Sequence, residues 1–232
     1  MEIHSCWRDV KDVLDAGLDR IILFGPPGTG KTYAALHLAT PRGVERLTCT
    51  DDITSAEVTG SYTPTGDGGW RWSDGPALRA WRNGSRLVVD EVDLASGDVL
   101  SLLLAMTDTN GSARWHHPVT GECVTPAAGF SVVMTTNLDD VSLLPPALTD
   151  RFPVAIRVDR PHPDAVMRLS PDLREAALNG ALGDSPRRIS LRRFYAFDQL
   201  REALGPTRAA RVVFGERGPD VIDALTISRL AP

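Results

Sequence analysis

Residues 25–32 read Gly-Pro-Pro-Gly-Thr-Gly-Lys-Thr, and this G-x-x-x-x-G-K-[ST] stretch restricts the fold more than any other part of the chain. The apolar run Ile21, Ile22, Leu23, Phe24 precedes it, and the helix-prone segment 33–39 follows. A buried strand that feeds a glycine-rich turn and then a helix aims several backbone N–H groups at one point. The helix dipole adds positive potential there. Phosphate oxygens suit such a point. Gly25, Pro26, Pro27, Gly28, Thr29 and Gly30 are expected to surround the phosphates, and Tyr33 is counted with the nucleotide contacts. Lys31 supplies a mobile charge for the β- and γ-phosphates, and the Thr32 hydroxyl a ligand for Mg²⁺. The motif predicts a nucleoside triphosphate site.

The rest of the composition narrows what surrounds such a site. The chain has 232 residues, enough for one good core and a small second one. A formal charge of −5 and a pI near 5.5 argue against a surface built for indiscriminate nucleic-acid binding. Arg187, Arg188, Arg192 and Arg193 form the one dense basic cluster. The three cysteines (Cys6, Cys49, Cys123) are odd in number and scattered, with neither a disulfide framework nor a zinc pattern, which fits a reducing cytoplasm. The first residues lack a basic segment followed by an apolar one, so no signal peptide is read. The longest apolar stretch, 99–106, is too short to span a bilayer, and no membrane partner is expected.

Val- and Ile-rich runs at 20–24, 44–49, 86–90, 130–136 and 154–158 alternate with helical patterns. Such alternation implies a parallel sheet covered on both faces. Between Gly60 and Asp74 turn formers cluster, flanked by Tyr62, Trp70 and Trp72, which reads as a hairpin inserted before a helix at 76–81. Trp70 and Trp72 are expected to pin that hairpin to the domain. A second hairpin is expected over 113–126, turning near 118–121. His116, His117 and Cys123 lie on it, but adjacent histidines on a strand face opposite ways, so no metal site is read there. Val99, Leu102, Leu103 and Met106 mark a core-facing helix over 98–106. Beyond Pro161 strand signals fade. Helices are expected over 171–179, ended by Gly180, then after a Ser185-Pro186 start toward Leu204, and over 207–214 and 220–225. The reading is an α/β nucleotide-binding domain over residues 1–160 and a small helical lid over 161–232.

Two further segments carry chemistry. Leu87, Val88, Val89, Asp90, Glu91 is a buried strand ending in two carboxylates. Asp90 would hold Mg²⁺ opposite Thr32, and Glu91, on the other face of the strand, would polarise a water lined up on the γ-phosphate. Hydrolysis needs that second acid, whereas a metabolite kinase does not. Asn137 ends a further buried strand, 131–137, and is placed to fix that water or the γ-phosphate.

Taken in order, these pieces resemble the AAA+ ATPases, and among them the branch with a hairpin inserted in the second helix, typified by MoxR-like ATPases. The resemblance rests on GPPGTGKT at 25–32, on the stretch from Gly69 and Trp70 through 74–81 to 87–93, on Thr135-Thr136-Asn137, on Leu148-Thr149-Asp150-Arg151-Phe152 and on 183–187. It implies an AAA+ core with a helical lid, ATP and Mg²⁺ as ligands, and a ring of identical chains, typically six. It also implies that Arg151 is an arginine finger serving the neighbouring subunit's ATP, a device worth roughly 10³–10⁵ in rate. Arg187 matches the lid sensor, with Arg188 one residue away. A protein client or adaptor is implied, in this family often one carrying a metal-dependent adhesion-type domain, and the inserted hairpin faces the pore. Two other readings stay open: a nucleic-acid-directed or GTP-using motor subunit of the same branch, and a nucleotide-regulated assembly scaffold.

Overall fold

The computed structural model describes residues 4–95, 97–181 and 188–230. They pack as two units. One holds residues 9–25 and 31–157, and the other is built from residue 158 onward together with residues up to 8 and the loop 26–30.

The first unit is a five-stranded sheet. Helix α1 (Ser5–Asp15) precedes β1 (Arg20–Phe24), and α2 (Lys31–His37) leads to β2 (Val44–Thr48). The order continues with α3 (Ser55–Thr59), β3 (Gly60–Pro64), β4 (Trp70–Asp74), α4 (Pro76–Asn83), β5 (Arg86–Asp90) and α5 (Gly97–Met106). Then come β6 (Trp115–His116), β7 (Cys123–Val124), β8 (Ser131–Thr135), α6 (Pro146–Arg151) and β9 (Val154–Arg157). The strands lie in the order β2-β5-β8-β1-β9, every neighbouring pair parallel. Ile21, Ile22 and Leu23 on β1 and Leu87, Val88 and Val89 on β5 are fully buried, as strands covered on both faces require.

The sheet order fixes where chemistry can occur. β1 and β2 are consecutive in sequence yet two strands apart in space, with β5 and β8 between them. Loops leaving the carboxyl ends of β1, β5 and β8 therefore meet at one edge of the sheet, the usual ligand position in open α/β sheets. Register aligns them, with Val89 opposite Met134 and Leu23 opposite Thr135. At the opposite edge, buried Arg20 donates to the carbonyls of Thr107 (2.8 Å) and Asp108 (2.6 Å), tying β1 to the end of α5.

Both expected hairpins are present. β3 and β4 pair from Gly60 opposite Asp74 to Pro64 opposite Trp70. Only glycine fits at position 60, because its φ is 130° and a Cβ there would lie 2.3 Å from the Ser73 carbonyl. The two tryptophans part company. The Trp72 ring stands 5.1 Å from that of His117 and 6.4 Å from that of Trp115, so it anchors the first hairpin on the second. Trp70, next to the turn, is 69% exposed and stacks on no ring among the described residues, so it does not pin the hairpin as Trp72 does. His117 is buried, and its Nδ1 accepts from the amides of Val119 (3.2 Å) and Thr120 (3.3 Å), holding the turn at 118–121.

The second unit is helical: α7 (Pro163–Met167), α8 (Arg174–Ala181), α9 (Leu191–Leu204), α10 (Pro206–Phe214) and α11 (Gly218–Leu230). Phe194, Phe197 and Phe214 form its centre, with ring centroids 5.4–5.5 Å apart across the α9–α10 contact. Residues 171–173 form a 3-10 turn ahead of α8 rather than its first turn. Gly180 does not end α8. It sits where a Cβ would come 3.3 Å from the Phe194 ring, so glycine here serves close helix packing.

Candidate nucleotide site

Gly25 follows β1 with φ 118°, and its amide donates to the Leu138 carbonyl (2.9 Å), anchoring the start of the loop beyond β8. Gly28 and Gly30 also have positive φ (78° and 109°), a conformation that L side chains resist. Within the loop the Thr29 hydroxyl donates to the Pro26 carbonyl at 3.2 Å. Residues 26–30 pack with the helical unit, where His162 N–H donates to the Thr29 carbonyl (3.3 Å). The chain then enters α2 at Lys31.

Lys31 is buried, and its ammonium donates to the Gly25 carbonyl (2.7 Å) and to Asn137 Oδ1 (3.1 Å). The Thr32 hydroxyl donates to Asp90 Oδ1 at 2.7 Å. Asp90 ends β5 and is buried. Its Oδ1 also accepts from Thr135 Oγ1, and its Oδ2 accepts from Arg46 Nη2 at 2.5 Å. Burial pushes the Asp90 carboxyl up, but the hydrogen bonds from Thr135, Thr32 and Arg46 and the Arg46 charge outweigh it. The group is held below the usual carboxylate range, charged and ready for a cation.

Glu91 lies just past the strand in left-handed backbone, φ 58° and ψ 48°. Its direction is set by that turn rather than by strand alternation. Positive φ is uncommon for a non-glycine residue and costs on the order of 1 kcal/mol, so it persists only where surroundings hold it. Here they do: its amide donates to Thr135 Oγ1 (3.3 Å), and its Oε1 accepts from Asn137 Nδ2 (3.3 Å). Asn137 thus bridges Lys31 and Glu91.

The structure therefore brings Gly25, Lys31, Thr32, Asp90, Glu91 and Asn137 together, with residues 26–30 as the connecting loop. Tyr33 is 48% exposed on α2 with its ring 4.5 Å from that of His37. Arg151 ends α6, which Leu148 and Phe152 anchor in the core. Its Nη1 donates to the Ala147 carbonyl (2.7 Å), its Nε has no hydrogen-bond partner among the described residues, and it bonds to none of the site residues above. Arg187 lies outside the described residues. Arg188 donates to the Asp159 carbonyl (2.7 Å). Sequence reasoning missed two contributors, Thr135 and Arg46. Thr135 was findable, since parallel pairing of β5 with β8 sets it beside Asp90, whereas nothing in Val44–Thr48 marks Arg46.

The Thr32 hydroxyl and Asp90 carboxylate are hard oxygen donors on one spot, which fits Mg²⁺, and the positive-φ glycines leave backbone free of Cβ atoms, which fits phosphate. A parallel sheet of this order with such a loop after β1 defines a P-loop nucleoside triphosphatase fold. The sequence profile of the AAA domain, dynein-related subfamily, matches residues 20–152, and the chain belongs to that family. It is 36% identical over 150 residues to protein NorQ of Paracoccus denitrificans, covering 62% of this chain and 53% of that one. It is 33% identical over 146 residues to the denitrification regulatory protein NirQ of Stutzerimonas stutzeri, covering 61% and 52%. The chain thus spans about half the length of these curated relatives. In fold it is similar to NtrX from Brucella abortus, solved in complex with ATP, with a TM-score of 0.52 at 15% identity over 96% of this chain and 66% of that one. The expected resemblance to MoxR-like AAA+ ATPases is met by these relatives. Among the described residues no helix is long and apolar enough to cross a membrane.

Proposed function

We propose that this chain hydrolyses ATP to ADP and phosphate and couples that hydrolysis to remodelling or activating a protein partner, working as a ring of identical chains in the cytoplasm. The observation that carries the reading is the bridged pair Glu91–Asn137 beside Asp90 and Lys31. A bare phosphate-binding loop would need no second acid held in strained backbone. Family membership and the likeness to NorQ and to a protein named as a denitrification regulator support action on a partner.

In this reading the Lys31 ammonium exchanges the Gly25 carbonyl and Asn137 for phosphate oxygens. Thr32 and Asp90 hold Mg²⁺, which when bound neutralises charge on the phosphates. Asn137 orients a water, and Glu91 takes its proton as it attacks. Residues 161–232 act as the lid, Arg187 senses the γ-phosphate from it, and Arg151 serves the neighbouring chain's site.

Glu91→Gln tests the chemistry. Phosphate release at saturating Mg·ATP should fall by at least about 100-fold while ATP binding persists. Release at the unmutated rate removes Glu91 from the reaction. Arg151→Ala tests the shared site: turnover should collapse with ATP binding by the isolated chain intact, and mixing with Lys31→Ala chains should restore part of it.

A further inference from the structure

In the unit that also holds the loop 26–30, three metal-ligating groups that take no part in the nucleotide site converge. His4, Cys6 and Asp159 each present one ligand atom, and the Nδ1, Sγ and carboxylate oxygen all lie within 4.8 Å of one another. The His4 Nδ1 to Cys6 Sγ separation is 3.3 Å. Zn–S near 2.3 Å and Zn–N near 2.0–2.1 Å in a tetrahedral centre put a sulfur and a nitrogen ligand about 3.5 Å apart. Two of the ligands already stand at that spacing, and the Asp159 carboxylate oxygen, within 4.8 Å of both, has at most about 1.3 Å to close.

The Cys6 amide donates to His4 Nδ1 at 3.4 Å, a long bond that uses the single lone pair of that nitrogen and that a bound ion would have to displace. Burial above all, and the Asp159 charge beside it, hold the Cys6 thiol above its usual range against the pull of the backbone N–H groups of Arg160, Asp159 and Trp7, so an ion has to displace that proton itself. The two segments are also joined without any ion: Trp7 Nε1 donates to the Arg160 carbonyl (2.9 Å), and its ring meets His162 edge-on at 4.8 Å. Cys6 is buried and His4 exposed, so the cluster has a closed side and a side open to water.

We propose that His4, Cys6 and Asp159 form a zinc-binding site with three protein ligands and a water in the fourth position. The mixed nitrogen, sulfur and oxygen set favours zinc over magnesium or calcium, which take oxygen alone. On binding, the Cys6 thiol proton leaves to solvent and the thiolate bonds the ion. The site would clasp the first turn of α1 to the segment after β9.

The test uses the tag-free full chain stripped with chelator, with Co²⁺ as a spectroscopic probe and Zn²⁺ in competition with a chromogenic chelator. Wild type should take up one Co²⁺ with a thiolate-to-cobalt charge-transfer band, and Zn²⁺ should abolish that band. Cys6→Ser should remove the band. His4→Ala and Asp159→Asn should each weaken Zn²⁺ binding at least about tenfold with the circular dichroism spectrum unchanged. Cys49→Ser and Cys123→Ser should leave the band intact. Because Cys6 is buried and its loss could impair folding, the exposed His4 variant decides. No thiolate band in wild type, or equal zinc affinity in the His4 and Asp159 variants, overturns the site. The oxygen-only Mg²⁺ position at Thr32 and Asp90 cannot give a sulfur band, so failure here is distinct from failure of the nucleotide reading.

Discussion

Strand β5 begins and ends on a buried charge, and the two are held by opposite kinds of partner. At its start Arg86 is 7% exposed, and its guanidinium donates to the carbonyls of Ala35 (3.0 Å), Leu38 (2.5 Å) and Ala39 (2.7 Å). These are the last carbonyls of α2 and its exit, which lack partners within the helix, so the cation caps the helix and complements its dipole. At the other end Asp90 is 5% exposed and held by the side chains of Thr32, Thr135 and Arg46. Backbone acceptors fixed by a helix cannot be exchanged for a ligand, whereas hydroxyls and a half-exposed guanidinium can turn away. The first arrangement builds structure; the second leaves room for chemistry. The same helix connects them, since α2 starts at Lys31 and Thr32 and ends on Arg86.

The sharpest way to break this comparison is at the aspartate. Asp90→Asn keeps the shape and an oxygen for Thr32 and Thr135 but removes the charge. If Asp90 is the proposed Mg²⁺ ligand, its loss removes several kcal/mol of charge stabilisation and should cut ATP turnover by about 10³-fold. Unfolding free energy without nucleotide should shift by no more than about 1 kcal/mol, since the hydrogen bonds largely remain. Phosphate release at saturating Mg·ATP and urea denaturation read the two quantities. Turnover that survives, or stability that collapses, would place Asp90 with Arg86 as a structural charge.

Arg86→Ala should show the reverse signature. It strips partners from buried carbonyls and leaves a cavity, so we expect a loss of about 3 kcal/mol in urea unfolding. The fraction still folded should bind ATP with affinity within about threefold of wild type. A large affinity loss at unchanged stability would mean that the helix cap tunes the site rather than the fold.

How much of this was legible beforehand follows from the kind of interaction involved. The strands were read within a residue or two, because burial on both faces forces Val- and Ile-rich runs that nothing in a loop imitates. The positions of Lys31 and Thr32 were legible from the G-x-x-x-x-G-K-[ST] pattern that opens α2, and those of Asp90, Glu91 and Asn137 because each stands at or just past the end of such a run. The first helix was missed although Trp7, Val10 and Leu14 recur at helical spacing and are all buried. Short α3, α6 and α7 offered too few turns for any periodicity to register. Gly180 was misread because a glycine needed for packing and one that ends a helix look alike in sequence. The left-handed backbone at Glu91, the joining of Cys6 to Asp159 and the Arg46–Asp90 pair were invisible, since each depends on tertiary placement.

Arg46 gives the smallest and most discriminating expected effect. Its side chain is 48% exposed, so its pair with Asp90 is screened on one side and worth no more than about 1 kcal/mol. It nevertheless puts a positive charge on the carboxylate that Mg²⁺ is expected to use. If Arg46 holds that place only until the ion arrives, Arg46→Ala should lower the Mg²⁺ concentration for half-maximal nucleotide binding by about threefold, the equivalent of its modest pair energy. A fluorescent nucleotide titrated at fixed concentration against Mg²⁺ measures this without reference to turnover. A rise in the Mg²⁺ requirement would mean instead that Arg46 stays in contact with the loaded site. Asp90 would then have one fixed partner, as Arg86 does, and the two ends of the strand would differ less than their partners suggest.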